Sequence, residues 1–378
     1  MPRPVHSLLG IALVFATSIA VPAQQPTVPA AVAGPLPAER TAEDVYRAGC
    51  ATCHGPDGKG SARAVVGFDV PLPDFTDCAF ATGEPDPDWF AVVHEGGPVR
   101  GLDRHMPAFG DALSADDITL AIAHVRTFCS ERALPQGDLN LPRAFFTEKA
   151  FPENEAVWTM AMTGRRERSV ESEVIYEQRL GPRSQIEAVA PLVAEESETG
   201  EWSRGLGDVA LAFKRTLYAS MRRGQIGAAG IEVVLPTGNE SRGLGNGYTV
   251  FEPFAMWGQM LPRNSFFQVH AGVELPSDAS KGVREAFIRS AIGTTVAGDR
   301  GFGRAWSPQL EVLWARPERS PSEWDVVPQI QVTLSKLQHV MVAAGVRVPI
   351  TQRDERRAQA LVYLLWDWFD GGFFEMWR

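Results

Sequence analysis

The sequence predicts a multidomain chain: a small all-α domain followed by an all-β antiparallel barrel of about twelve strands that spans a membrane. Three observations lead there. An apolar leader directs the chain out of the cytoplasm. Residues 41–131 carry helix caps and helical spacing, broken by Gly and Pro. Beyond residue 152, segments of roughly ten residues alternate apolar and polar side chains.

The chain has 378 residues, a formal net charge of −10 and 44% hydrophobic residues. That content is too high for a disordered chain, and the negative charge argues against a nucleic-acid partner. Residues 1–23 read as a secretory signal. Arg3 and His6 give a weakly basic start, Leu8 to Val21 is an apolar run, and Val21-Pro22-Ala23 offers a small-residue cleavage site. The run is short for a membrane anchor and no basic stop-transfer segment follows it. Residues 24–40, rich in Pro and Ala, read as a spacer.

In the α domain, Thr41 followed three residues on by Asp44 forms a capping box that opens a helix. Ser114-Ala-Asp-Asp opens a second one, with an N-cap hydroxyl and two acids in the first turn. Ile118, Ile122, Val125 and Cys129 then recur at helical spacing. Residues 41–130 hold 14 Asp or Glu against 6 Lys or Arg, a net charge of −8. Such a surface steers toward basic faces of partners, although solubility alone also explains it.

Between these helices lies C-A-T-C-H, residues 50–54. Two thiols three positions apart can serve three chemistries. A redox disulfide motif gives no reason for the histidine, and the thioredoxin-like βαβ context is missing. A zinc site needs two more ligands, and Cys78 and Cys129 lack paired spacing. Covalent haem attachment uses every residue: Cys50 and Cys53 add to the two vinyl groups of one haem, and His54 meets the iron from the proximal side.

The surrounding stretch GCATCHGPDGKG resembles class I c-type cytochromes, with Gly55, Asp57, Gly58 and Gly60 matching the family's glycine-rich continuation. The likeness spans residues 41–130 and implies one covalent haem c with a soft or nitrogen donor opposite His54. Met106 in RHMPAFG lies where the family places a Met-Pro ligand before its last helix, so Cys50, Cys53, His54 and Met106 form the expected haem set, with His54 and Met106 on the iron. His105 and His94 are competing donors. An open sixth position would suit a small peroxidase instead, the minor enzymatic alternative. Cys78 and Cys129, outside the cytoplasm with no other thiol to use, form a disulfide or remain buried free thiols.

Residues 132–152 read as a linker, and 153–378 as the barrel. In FFQVHAGVEL, Phe267, Val269, Ala271, Val273 and Leu275 alternate with Gln268, His270, Gly272 and Glu274. In DVVPQIQVTL, Val326, Ile330, Val332 and Leu334 alternate with Gln329, Gln331 and Thr333. In QHVMVAAGVRVPIT the residues from Val340 to Ile350 alternate likewise. A soluble sandwich or lipocalin-like barrel alternates too, with its apolar face inward. The strand number, the tryptophans near strand ends (Trp257, Trp306, Trp314 and Trp324) and the aromatic terminal stretch LLWDWFDGGFFEMWR favour a membrane barrel.

GLGDVALAFKRTLY (205–218) and GIEVVLPTGNESRGLGNGYTVFEPFAMWGQ (230–259) resemble a family of outer-membrane transporters named for the meta-pathway of phenol degradation. That likeness covers most of residues 155–378 and implies a barrel without naming a substrate. The two halves together resemble, in plan, cytochrome–porin fusions thought to oxidise iron at the cell surface.

The expectation is therefore electron transfer by a monohaem cytochrome tethered to an outer-membrane barrel. It would exchange single electrons with a redox partner protein or a small donor or acceptor, with outer-membrane lipid around the barrel and the cytochrome in the periplasm. The alternative is solute transport through the barrel, with the cytochrome as a redox accessory. A 90-residue domain, with a radius of gyration of about 12 Å, is too large to enter such a barrel.

Overall fold

A computed structural model describes residues 40–131, 134–164, 168–196, 200–298 and 302–368. The signal segment, most of the spacer and the last ten residues of the aromatic terminus lie outside the described residues.

The α domain begins with α1 (Ala42–Gly49), and both hydrogen bonds of the Thr41–Asp44 capping box form. One turn, α2 (Ala51–His54), follows directly. Short helices α3 (Arg63–Val66) and α4 (Cys78–Ala81) lead to α5 (Asp86–Glu95) and then α6 (Ala115–Arg126). Ser114 and Asp117 close the second capping box. The predicted stripe on α6 is the buried one: Ile118, Ile122, Val125 and Cys129 all lie in the core. Tyr46 of α1 meets Phe128 and His124 beyond and on α6, with ring centroids 5.3 and 4.9 Å apart. Cys78 and Cys129 form a disulfide that ties α4 to the end of α6.

Among the described residues fourteen strand segments follow, β1 (Glu155–Thr163), β2 (Ser169–Leu180), β3 (Ser184–Glu196), β4 (Trp202–Leu206), β5 (Val209–Ser220), β6 (Gln225–Leu235), β7 (Val250–Leu261), β8 (Ser265–Pro276), β9 (Glu285–Thr294), β10 (Val296–Ala297), β11 (Ala305–Pro317), β12 (Glu323–Thr333), β13 (Val340–Pro349) and β14 (Gln359–Asp367). Two are short extensions, β4 on β3 and β10 on β11, which leaves twelve staves. All pair antiparallel with their sequence neighbours, and β1 pairs with β14 from Glu155–Asp367 to Thr163–Gln359, so the sheet closes. Among the described residues, closure gives each of the twelve staves a partner on both sides, as a bilayer requires.

The alternation resolves inside from outside. On β8, Gln268 and His270 are buried while Phe267, Val273 and Leu275 are exposed. On β12, Asp325, Gln329, Gln331 and Thr333 are buried and Ile330 is exposed. Leu217 exposes 63% of its surface, Leu192 53% and Ile292 51%. A soluble barrel would not leave such an apolar wall facing water; a lipid-facing one must. Trp306 and Trp324, each the second residue of its strand, are also exposed, and Trp257 stacks on Tyr218 at 5.7 Å near the ends of β7 and β5.

The two mouths differ. At one, the connections 181–183, 221–224, 262–264 and 334–339 are short and only 295–304 is longer; at the other, loops such as 236–249 and 350–358 are longer. The strand count is even, so β1 starts and β14 ends at the short-turn mouth.

Residues 132–152, expected as a linker, do not behave as one. From Leu139 the chain enters the lumen at the short-turn mouth, reaches mid-barrel at Phe145–Thr147 and returns to that mouth at Glu153. Phe145 joins the apolar cluster of Val157, Ile175, Tyr363 and Leu365. Leu139, Ala150 and Phe151 pack with Ile226, Phe254 and Met256 on the other wall. Three phenylalanines in seven residues would be costly in a solvated tether and are stabilising in a plug.

Candidate haem site and lumen

The C-A-T-C-H turn is held by main-chain bonds on both sides. Cys50 N–H donates to Tyr46 O (2.8 Å), His54 N–H to Cys50 O (2.9 Å), Gly60 N–H to His54 O (2.9 Å) and Ser61 N–H to Cys53 O (2.8 Å). The Tyr46 hydroxyl donates to Gly55 O at 2.6 Å. Gly58 has φ +77°, and a Cβ there would stand 2.6 Å from the Phe128 ring, so the glycine-rich continuation is a packing requirement.

Cys50 and Cys53 are unbridged and half-buried one turn apart, whereas the other two cysteines are joined. The four-cysteine zinc reading therefore loses two of its ligands. Burial, with the Cys53 charge beside it, pushes the Cys50 thiol up to about 11. A redox C-x-x-C thiol needs the opposite shift. Burial lowers the His54 pKa, which keeps the imidazole neutral and able to ligate. His54 Nδ1 is buried with no hydrogen-bond partner among the described residues. The ring lies 5.0 Å from that of Phe75, which packs in turn on Phe80 and Trp89. Two free thiols, one neutral imidazole short of a partner and an aromatic wall fit a covalently held haem.

Met106 lies in the loop before α6, half-buried. Its N–H donates to Asp103 O (3.2 Å) and its carbonyl accepts from Gly97 N–H (3.0 Å). Its two histidine rivals are engaged. His105 Nδ1 is 2.6 Å from Asp103 and its ring stacks on Phe68 at 4.5 Å. His94 sits 2.9 Å from Glu95 and stacks on Phe302.

Phe302 belongs to the 295–304 connection of the barrel, so the cytochrome face meets the short-turn mouth there. Arg100 joins the two: its Nη1 donates to Phe302 O at 2.7 Å and its Nε to Asp88 at 2.7 Å. Gln338 Nε2 reaches Asp88 at 3.3 Å, and His339 stands between Glu84, 3.5 Å away, and Asp367 at the end of β14. Asp138 accepts from Asp86 N–H at 3.2 Å, and burial beside Asp86 pushes its carboxyl up to about 6. A Cβ on Gly137 would stand 2.2 Å from Gly83 O, so the chain leaving the cytochrome lies flat against it.

The plug is held by charge as well as by apolar packing. Arg143 bonds both Glu155 and Glu177 at 2.6 Å, and Lys149 pairs with Glu153 and Glu155. Lys214 Nζ donates to Lys149 O (2.7 Å), Gln309 Nε2 and the Tyr363 hydroxyl to Arg143 O (3.1 and 2.8 Å). Sequence reasoning missed these residues. The signal was there in RAFFTEKAF, whose mixture of Phe and paired charges is unlike a tether.

Compared with known proteins, residues 37–125 match the profile of the cytochrome c oxidase, cbb3-type, subunit III family. The N-terminal part is thus a cytochrome domain, as the motif implied. No curated protein matches the chain. Among solved structures, an outer-membrane channel from Pseudomonas putida F1 is similar at 11% identity and TM-score 0.43, over 60% of this chain and 100% of that one. The NanC porin is similar at 6% identity and TM-score 0.41, over 56% and 99%. The KdgM porin gives 6% and 0.40, over 57% and 99%.

Proposed function

We propose that this is an outer-membrane electron-transfer protein in which one haem c, attached through Cys50 and Cys53 and ligated by His54 and Met106, is fixed at the periplasmic mouth of a plugged barrel. The observation that carries the reading is the C-A-T-C-H turn, with its two free thiols and half-buried His54, while the second cysteine pair is already bridged. When bound, the haem supplies reversible one-electron exchange at its iron.

The chain's own residues set the conditions for that exchange. Phe75, Phe80 and Trp89 keep water from the His54 side, and Arg126 covers Trp89 at 4.0 Å. The acidic surface of residues 41–130 steers basic partners to the site, with rates that fall in salt. Short turns mark the periplasmic end of outer-membrane barrels, and the cytochrome meets the barrel at that end.

The plug weighs against the alternative of solute passage, because the short-turn half of the lumen is filled by residues 139–153. Transport would require that segment to leave. The deciding experiment is protease treatment of intact cells followed by haem staining. Protection of the haem-bearing fragment until the outer membrane is opened supports the proposal, and loss of the stain from intact cells places the redox chemistry on the other side.

A further inference from the structure

The loop that carries Met106 is bonded to the far end of α5. Met106 O accepts from Gly97 N–H at 3.0 Å, Val93 O from Phe109 N–H at 2.9 Å and His94 O from Gly110 N–H at 3.0 Å. The two segments approach closely at three glycines. A Cβ on Gly96 would stand 3.1 Å from Met106 O, one on Gly97 2.2 Å from Asp103 O and one on Gly110 2.6 Å from the His94 ring. Gly96 also has φ +84°, where a side chain is strained. Residues 103–110 therefore take their position from residues 93–97, and a shift of that helix end moves Met106 with it.

The barrel holds the same helix end. Phe302, in the 295–304 connection, stacks on His94 at 4.9 Å and on Phe90 at 6.3 Å, and Phe90 stacks on His94 at 5.8 Å. Phe302 O accepts from Arg100 Nη1 at 2.7 Å. Arg100 is only 4% exposed and ends the 3₁₀ turn Gly97–Arg100, whose first residue bonds Met106 O. Its Nε donates to Asp88 in the first turn of α5 at 2.7 Å, and Gln338 of the barrel reaches the same carboxylate. The His94 ring thus touches both Phe302 of the barrel and Gly110 of the Met106 loop.

We propose that Phe302 is a positioning residue for the axial methionine: the barrel connection, seated on His94 and Arg100, keeps Met106 in place for the haem iron. The inference rests on Met106 as the sixth ligand and gives a barrel residue a share in setting that bond. A ligand loop braced by a second domain spends less time detached. Each tenfold in that equilibrium is a tenfold in the apparent affinity of a competitor for the sixth position. The haem then reports the state of the barrel mouth, because displacement of the 295–304 connection weakens the methionine bond and lowers the reduction potential.

The test is titration of the oxidised full chain with imidazole, whose nitrogen displaces the methionine sulfur from ferric iron, read by haem absorbance. Met106→Ala, with no ligand to displace, should bind imidazole most tightly, and wild type at least about a hundredfold more weakly. Phe302→Ala should bind at least about tenfold more tightly than wild type, with a weakened methionine–iron charge-transfer band. Phe302→Tyr keeps the ring and should match wild type. Undocking that left the Met106 loop in place would move neither reading. Folding of each variant is checked by its retained haem absorbance and heat-modifiable migration. Phe302→Ala equal to wild type beside a tight Met106→Ala, or Phe302→Tyr shifted as far as Phe302→Ala, would overturn the proposal and leave the ligand assignment standing. Wild type as tight as Met106→Ala would remove the ligand assignment and the proposal with it.

Discussion

The carboxylate of Glu311, the middle residue of β11, accepts the main-chain N–H of Thr147 at 2.7 Å, and with it those of Phe145 and Phe146, each at 3.1 Å. Three successive amides converge on one buried anion, which Gln329 also steadies at 2.7 Å. This is an anion nest turned inside out: the wall supplies the anion and the plug supplies the nest.

Glu311→Ala should therefore release the plug tip. Each buried amide left unpaired costs about 1–3 kcal/mol, and three are affected. In planar bilayers wild type is expected to conduct little and Glu311→Ala to open discrete conducting events. An unchanged conductance would show that the segment is held by its apolar packing alone.

Met106→Ala tests the sixth ligand. Loss of the methionine–iron charge-transfer band and a lower reduction potential are expected, because a Met/His pair holds the potential above that of nitrogen ligation. The variant should also gain reactivity toward peroxide through the opened position. A spectrum identical to wild type would assign the ligand to another residue.

The Asp138 carboxyl gives the docking of the cytochrome a pH dependence. Its folded pKa is raised from 3.8 to about 6, so the folded chain binds the proton more tightly than the unfolded one. Ionisation here costs stability above about pH 6, and that cost is relieved as pH falls from 6 toward 3.8. Asp138→Asn keeps an acceptor for Asp86 N–H and should stabilise the α domain at pH 7 by up to about 3 kcal/mol, with the gain vanishing near pH 4. Thermal melts at the two pH values check it.

The Cys78–Cys129 bridge closes a loop of 51 residues. Replacing both cysteines with serine should cost about 4 kcal/mol if the constraint on the unfolded chain is fully expressed. Guanidinium unfolding followed by haem absorbance reads it. The haem should remain attached, since neither residue belongs to the C-A-T-C-H turn.

Much of this architecture could be read from the chain because its signals are local. Capping boxes at Thr41 and Ser114 act within three residues, and a period of two on β8 or β12 shows in any ten-residue window. The direction of the apolar face could not be read, since Phe267 out and Gln268 in has the same pattern as its mirror image. The plug was invisible for a different reason. Its contacts, such as Glu311 with Thr147 and Tyr363 with Arg143, join residues more than 160 positions apart and leave no periodic trace. The stack of Phe302 on His94 likewise joins residues far apart in the chain.

The most direct test of the account is acid–acetone extraction of the outer-membrane protein, followed by haem staining of the denatured chain beside a Cys50→Ser/Cys53→Ser variant. The expected result is a stained band for the wild-type chain, absent from the variant. A band that loses its stain on extraction, or an unstained wild type, would contradict covalent haem at Cys50 and Cys53 and with it the electron-transfer function.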